Sequence, residues 1–235
     1  MKSLKESIFS DIEDIVNDDT VLIEQFLNDN YEIDGTYEID GTYEIGGDVV
    51  DVKGDVNVKN RKIESLTNGL FRFGAVSGSF DCHNCSKLKS LKGAPREVGS
   101  DFSCAFCASL KSLKGAPMEV GNNFYCYKCD SIKSLEGAPK TITGNFNCTG
   151  CESLKSLEGA PENVSGSFSC SYCEKLTSLK GAPEEVDEGF YCINCEKITS
   201  LEGAPKETPL ICCHGCKNLK FTDQDRKKYK IKEYK

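Results

Sequence analysis

The sequence has no tryptophan, only two histidines and only two methionines among its 235 residues, and these shortages restrict what it can do. With two histidines, the chain has few candidate side chains for acid–base catalysis. No serine, carboxylate or glycine-loop constellation has catalytic spacing either. No apolar run reaches the roughly 18 residues of a membrane span. The N-terminal residues include charges and have no continuous apolar run, unlike an export signal. We therefore expect a cytoplasmic protein that is neither an enzyme nor a membrane protein.

Positive charge is also scarce, since the formal net charge is -8. Such a chain does not attract nucleic acid or an anionic membrane by its overall field, so we expect neither as a partner. Cysteine, in contrast, is abundant: there are fifteen residues, an odd number, in a chain without an export signal. We interpret them as reduced thiols and not as a disulfide framework.

A 22-residue sequence repeat occurs seven times and dominates the chain. Its second copy runs from Phe102 to Val120, and the first cysteines of the copies stand at 82, 104, 126, 148, 170, 192 and 213. A fixed period in the range of about 20 to 50 residues is typical of a solenoid, in which each repeat forms one coil. The sequence thus predicts a β-rich repeat solenoid built from 22-residue coils.

Comparison of the copies indicates how one coil is built. Phe-x-Cys has the alternation of a short strand, with Phe and the first cysteine pointing inward. Further apolar columns, such as Leu110, Leu113 and Val120 in the second copy, also point inward. Gly-Ala-Pro predicts a turn, because Gly permits unusual backbone angles and Pro fixes φ. Stacked strands about 4.8 Å apart would form a short parallel sheet.

The flanking segments divide the chain into four parts. Residues 1–30 carry apolar stripes at helical spacing and predict a small α-helical N-terminal cap, with self-association through these helices as the alternative. Residues 31–47 repeat Tyr-Glu-Ile-Asp-Gly-Thr and predict an irregular extended connector with turns at Asp-Gly. The solenoid spans 48–221, with a degenerate initial coil at 48–79 and regular coils at 80–221. The basic tail, 222–235, predicts a short helix begun at Thr222 or Asp223, or a frayed end.

The coil resembles the leucine-rich repeat, because Phe102 to Leu110 follows that family's apolar-x-x-apolar-x-apolar-x-x-Asn/Cys phrase with Cys107 at the Asn/Cys position. Two spacings, Cys107 to Leu110 and Val98 to Phe102, are each one residue longer than in the family, which leaves a flatter β-solenoid open. The Leu-x-Ser-Leu-x-Gly-Ala-Pro phrase is also similar to repeat proteins of tailed bacteriophages and gut bacteria. That resemblance implies an interaction role without an assigned activity.

The seven Cys-x-x-Cys pairs admit two interpretations. Two pairs separated by eighteen residues, such as those of Cys82 and Cys104, match a four-cysteine zinc pattern. However, the repeat itself imposes this spacing, and seven pairs cannot be divided into four-cysteine sites without leaving one pair unused. The residues between the cysteines also suggest no common turn shape for a metal knuckle. We therefore favour buried thiols as small apolar fillers, without a cofactor. The zinc alternative would use Cys82, Cys85, Cys104, Cys107, Cys126, Cys129, Cys148, Cys151, Cys170, Cys173, Cys192, Cys195, Cys213 and Cys216.

Function is expected on the outward positions of the strand side, because the inward columns are fixed by the fold. Aromatic side chains dominate interface hot spots. We predict a protein–protein interaction module. The resemblance to repeat proteins of phages and gut bacteria implies that it is phage-encoded and acts on a host or viral protein, and a structural or virion-associated protein is the further alternative. Cys212, between two inward residues, is the predicted exposed thiol. The predicted partner-binding residues are Phe106, Tyr125, Tyr127, Tyr172 and Tyr191.

Overall fold

The computed structural model describes residues 38–46, 49–67 and 72–233, and they form a parallel β-solenoid of about eight turns. Its strands are short because each coil turns a corner after two or three paired residues. They are β1 (Glu38–Gly46), β2 (Val49–Asn57), β3 (Arg72–Val76), β4 (Phe80–Asp81), β5 (Glu97–Val98), β6 (Phe102–Ser103), β7 (Glu119–Val120), β8 (Phe124–Tyr125), β9 (Thr141–Ile142), β10 (Phe146–Asn147), β11 (Asn163–Val164), β12 (Ser167–Ser169), β13 (Glu185–Val186), β14 (Gly189–Tyr191), β15 (Ile211–Cys212) and β16 (Ile231–Lys232).

The first five regular coils each place one strand on each of two sides, and the last two place a strand on one side only. The Phe side stacks β4, β6, β8, β10, β12, β14 and β15 in register, and the Val side stacks β3, β5, β7, β9, β11 and β13. No helix lies between residues 80 and 222, whereas a leucine-rich repeat adds a helix or 3₁₀ segment to one strand. We number the regular coils 1 to 7 by their first residues: Phe80, Phe102, Phe124, Phe146, Phe168, Phe190 and Ile211.

The strand β2 joins the two sides at the N-terminal end of the stack. Its first half, Val49–Val52, pairs with β3 on the Val side, and Val56 and Asn57 pair with β4 on the Phe side. Because β2 runs along both sides, it links the Phe-side ladder with β3, β5 and β7 into one sheet, whereas β9, β11 and β13 form a second sheet. Val58 is buried at the place of the first cysteine, as expected for a degenerate initial coil.

Part of the predicted connector is regular, and this prediction was wrong for residues 38–46. They form the nine-residue strand β1, which pairs antiparallel along the whole of β2. Asp40 and Gly41 lie inside that strand, opposite Asp55 and Gly54, and do not form a turn. The long partner supplies a ladder for every residue of β1, and this tertiary pairing overrides the local turn signal. Residues 31–37, and residues 1–30 with the predicted helical cap, lie outside the described residues.

The core is a column of stacked phenylalanine rings with apolar columns around it. From Phe80 to Phe190, six fully buried rings follow one another at centroid distances of 5.1 to 5.8 Å, and interplanar angles run from 2° to 26°. The predicted inward Leu, Ile and Val columns are buried as well. Since offset stacking adds to the free energy of burial, the in-register Phe column is a principal source of cohesion between coils.

The tail closes the C-terminal end of the stack. Of the two alternatives for this segment, the structure has the helix, α1 (Asp223–Lys228), which begins after Thr222 with a capping box to Asp225. The sequence did not predict the next step: β16 pairs in parallel with β15. Between them, the buried Tyr229 donates its hydroxyl to the carbonyl of Pro205 at 2.8 Å. The described residues include no helix long and apolar enough to cross a membrane.

Candidate partner-binding face

The candidate partner-binding face consists of the outward residues of the Phe side and of the turn that follows it in each coil. The residue after Phe, such as Tyr125, is half-buried in all regular coils. The position after the first cysteine is less uniform: Tyr127 is half-buried, but Ala105 and Ser171 are buried. The Ser171 hydroxyl accepts the Ile193 N–H at 3.1 Å, which explains its inward position. Alternation therefore predicted most, but not all, outward residues.

The turn between the two cysteines has one shape in every regular coil. The residue before the second cysteine has a φ between 53° and 75°, in the left-handed region. The residues between the cysteines suggested no common turn shape for a metal knuckle, yet the coils share this one turn. Hydrogen bonds between coils impose the turn, since the N–H of Phe106 bonds the carbonyl of Tyr127 at 2.9 Å and the pattern recurs. The residues in this column are Asn84, Phe106, Lys128, Gly150, Tyr172, Asn194 and Gly215.

Two aromatic residues stand in this left-handed column and point outward. Phe106 has φ 57° and is 47% exposed, and Tyr172 has φ 58° and is 51% exposed. Left-handed backbone costs a residue with a Cβ about 1–2 kcal/mol, and Asn or Gly, which four of the other five coils use here, cost less; the fifth has Lys128. Exposed aromatic rings at such positions reduce stability without filling the core. Backbone strain of this kind supports a functional interpretation.

Three of the five predicted residues form one contiguous aromatic cluster on coils 2 and 3. The rings of Phe106 and Tyr127 meet edge to face with centroids 5.1 Å apart, and those of Tyr125 and Tyr127 do the same at 6.2 Å. Tyr172 and Tyr191 belong to coils 5 and 6, and no ring contact joins them to the cluster within the described residues. The structure therefore brings together Phe106, Tyr125 and Tyr127, which we call the aromatic cluster.

A ladder of polar side chains holds the corner beneath the aromatic cluster. The Asn123 amide donates to Asp101 Oδ1 at 2.9 Å, and the Asn145 amide donates to Asn123 Oδ1 at 2.9 Å. Burial, followed by the nearby Asp101 carboxylate and Tyr127, raises the pKa of Tyr125 above its ordinary value. Tyr125 is therefore neutral at physiological pH and is held at a rigid corner, a preorganised arrangement that suits recognition.

The cysteines form two buried columns that cross-link the coils by hydrogen bonds. In each coil the second thiol donates to the carbonyl of the first cysteine of the preceding coil, as Cys107 does to Cys82 and Cys129 does to Cys104, at 3.2 and 3.1 Å. Cys85 makes the same bond to Val58, at 3.2 Å. These thiols are thus both apolar fillers and weak donors that satisfy buried carbonyls.

The environment of nine of the thiols favours their protonated form. Burial raises the pKa of Cys82, and it raises the pKa of Cys104 well above the ordinary value, assisted by a hydrogen bond with Cys129. Burial also raises the pKa of Cys213 to about 12. The pKa of Cys216 is lowered instead, because of its hydrogen bond with Cys192. Zinc ligation requires thiolates, so each such site would have to overcome this preference.

Within residues 38–46, 49–67 and 72–233, no group of three or more His, Cys, Asp or Glu side chains is arranged to hold a metal ion. All fifteen cysteines are free thiols, and Cys212 alone is not buried, as predicted. His83 is half-buried, with Nδ1 2.9 Å from Asp81 Oδ1. In the described part of the chain, the thiols therefore pack in the core and donate hydrogen bonds, and they are not arranged as a set of metal ligands.

A groove of about 580 Å3 on the Val side was not foreseen from the sequence. The signal available in the sequence is the glycine after Val98 and after Val120, because a Cβ on Gly99 would lie 2.0 Å from the Ser77 carbonyl oxygen and one on Gly121 would lie 2.2 Å from the Gly99 carbonyl oxygen. None of the predicted site residues lies in it. Its lining includes Val76, Val98, Gly99, Met118, Val120 and Gly121.

Comparison of the chain with family models, with curated proteins and with solved structures found no match.

Proposed function

We propose that this protein is a non-enzymatic interaction module that binds a protein partner through the aromatic cluster of its Phe side. The observation that carries the proposal is the contiguous cluster of Phe106, Tyr125 and Tyr127, with Phe106 exposed in a costly backbone conformation. Rigid solenoids present large surfaces of this kind, and Tyr is enriched among interface hot spots. Tyr172 and Tyr191 extend the contact along the stack.

The same proposal covers the kind of module, its location and its partner. We propose that it presents its strand side as leucine-rich repeats do, although its coils carry strands on two sides. The free, buried thiols fit a reducing compartment, so the cytoplasm is the proposed location. The resemblance of the repeated phrase to phage-encoded proteins supports a host or viral protein as the partner.

The test compares capture of a partner by three forms of the immobilised full-length chain. The test variant carries Phe106→Asn, Tyr125→Ser and Tyr127→Ser, and the control carries Met118→Ser, which changes an exposed apolar residue on another side. Proteins retained from a bacterial lysate are identified and quantified by mass spectrometry. Loss of hot-spot residues costs at least about 2 kcal/mol, so we expect a specific partner to be retained at least about tenfold less by the triple variant.

The control should retain that partner as the unchanged protein does. Circular dichroism and thermal unfolding should show that all three forms are folded, because the replaced rings lie outside the buried core. Equal retention by the triple variant and the unchanged protein, or no specific partner for the unchanged protein, would overturn the proposal.

A further inference from the structure

The inward Phe column ends in an isoleucine position at each end of the solenoid. At the C-terminal end, Ile231 of β16 pairs with Ile211, which holds the Phe position of coil 7. At the N-terminal end, Ile39 of β1 pairs with Val56, which holds the Phe position of the initial coil and itself pairs with Phe80. The two end strands are therefore in register with the same column.

Both end strands have an open edge within the part of the chain that the structure describes, since β1 pairs there only with β2 and β16 only with β15. At the C-terminal end, the Lys230 carbonyl accepts the Ile211 N–H at 3.0 Å. The Lys232 carbonyl likewise accepts the Cys213 N–H at 3.1 Å. Because the backbone groups of successive strand residues alternate in direction, the N–H and C=O of Ile231 point to the open edge of β16.

The hydrogen bonds at the N-terminal end lead to the same result for Ile39. The Val56 N–H donates to the Ser79 carbonyl at 2.8 Å, so the backbone of Val56 faces β4 and not β1. The residues on either side of Val56 therefore face β1, where their partners are Asp40 and Glu38. Between these two, the N–H and C=O of Ile39 point to the open edge of β1.

We propose that a second copy of this chain docks end to end, with β16 of one copy pairing antiparallel with β1 of the next. β16 runs parallel to the Phe-side strands and β1 runs opposite to them, so the two edges meet antiparallel. Ile231 opposite Ile39 then exchanges both N–H···O bonds, because each residue presents its backbone groups to the other. This pairing extends the register of the core column and covers Ile231, which is only partly buried against the core.

The charges beside the two isoleucines favour this register. It sets Lys230 opposite Asp40, and it sets Lys232 opposite Glu38; both lysines are exposed. Unlike charges directly opposite one another stabilise a sheet. Three other registers bring an edge-facing residue of β1 opposite Ile231, and each gives only one unlike pair. Those edge-facing residues are Gly41, Tyr43 and Ile45.

The same charges disfavour the symmetric alternatives. Two C-terminal edges would oppose lysines to lysines, and two N-terminal edges would oppose carboxylates, because β1 has three acidic residues and no basic one. Lysines on an edge usually prevent pairing between sheets, and here they leave the acidic end of another copy as the matching partner. Such a head-to-tail contact adds copies to an open stack unless its rotation closes a ring. It lies apart from the aromatic cluster on coils 2 and 3 and does not depend on the proposed function.

The test uses two charge-reversed forms of the full chain, one for each end. The first carries Lys230→Glu and Lys232→Glu, and the second carries Glu38→Lys and Asp40→Lys. Sedimentation velocity over a range of protein concentrations, under reducing conditions, measures the size of each form alone and of an equimolar mixture of the two. Circular dichroism verifies that both forms are folded.

The control carries Lys175→Glu and Lys197→Glu, the same charge change at exposed positions of coils 5 and 6. We expect the unchanged protein and the control to form larger species as the concentration rises, more weakly at higher salt. Each reversed form alone should associate at least about tenfold more weakly, because two unlike pairs become like pairs. The mixture should associate again, since each reversed form offers the other an end of opposite charge.

An unchanged protein that stays monomeric at every concentration would overturn the proposal. A mixture that stays dissociated while both reversed forms are folded would overturn it as well. Association of either reversed form as strong as that of the unchanged protein would contradict the end-to-end contact and would point to another surface, such as residues 1–30.

Discussion

Replacement of Phe146 by Ala should lower the free energy of unfolding by about 3–5 kcal/mol, the range for a buried aromatic residue. The ring is fully buried between Phe124 and Phe168, with centroids 5.1 and 5.2 Å away. Its removal leaves a cavity in the middle of the stack and breaks ring contacts on both sides. Urea titration followed by circular dichroism measures the change.

Met118→Ala is the matched control for Phe146→Ala, because Met118 is 66% exposed and fills no space in the core. It should change the free energy of unfolding by less than about 0.5 kcal/mol, as surface substitutions usually do. If Phe146→Ala were as mild as Met118→Ala, the stacked rings could not be a principal source of cohesion between coils. Since coils interact mainly with their neighbours, a biphasic transition would also show where the array divides.

Alkaline pH should destabilise the solenoid steeply, because unfolding exposes thiols that the fold keeps protonated. Nine cysteines have pKa values raised in the folded state, mainly by burial and by hydrogen bonds between thiols: Cys82, Cys85, Cys104, Cys107, Cys126, Cys148, Cys170, Cys192 and Cys213. For a group with a raised folded pKa, the stability is fully present below the unfolded pKa and is lost as pH rises above it.

The loss of stability therefore begins near pH 8.5, the ordinary pKa of an exposed thiol. Each protonated thiol contributes a slope of about 1.4 kcal/mol per pH unit, so nine together approach on the order of 10 kcal/mol per unit. The lowered pKa of Cys216 has the opposite sign and offsets one of them. We expect a protein that is stable at pH 8 and unfolded by about pH 10.5. Urea titrations under a non-thiol reductant measure this.

A triple variant, Cys104→Val, Cys126→Val and Cys148→Val, isolates the contribution of the thiols. Val58 already fills the equivalent position in the initial coil, so the change should be accommodated. Three of the nine thiols are removed, and the slope above pH 9 should fall by about a third. A free energy of unfolding that stays constant between pH 8 and pH 10 would contradict the assignment of the cysteines as neutral, buried thiols.

Much of the solenoid followed directly from the sequence, because its signals recur in every coil. The 22-residue period, the inward Phe and Leu columns, and Cys212 as the least buried thiol were all predicted correctly. A position repeated six or seven times with the same chemical type can be assigned without knowledge of its neighbours. The parallel stacking then follows from the period alone.

The features that escaped prediction depend on contacts between segments. Strand β1 exists because β2 pairs along it, although Asp40 and Gly41 read locally as a turn. Strand β16 forms only where β15 offers an edge. The left-handed turn at Phe106 is imposed by hydrogen bonding to the next coil, against the preference of its side chain.

The candidate site could be predicted from the sequence only in part, for the same reason. Alternation identified Tyr125 and Tyr127 as outward residues, but not their ring contact with each other and with Phe106.

The most direct test of this account is the metal content of the chain, measured by elemental analysis after purification under reducing conditions without chelators. If the cysteines are protonated fillers that bond carbonyls, the protein should contain less than about a tenth of an equivalent of zinc, and chelation should not change its unfolding. About two or three zinc ions per chain, with loss of structure on chelation, would contradict it. The thiol columns would then be ligand arrays, and function would have to be sought inside the solenoid.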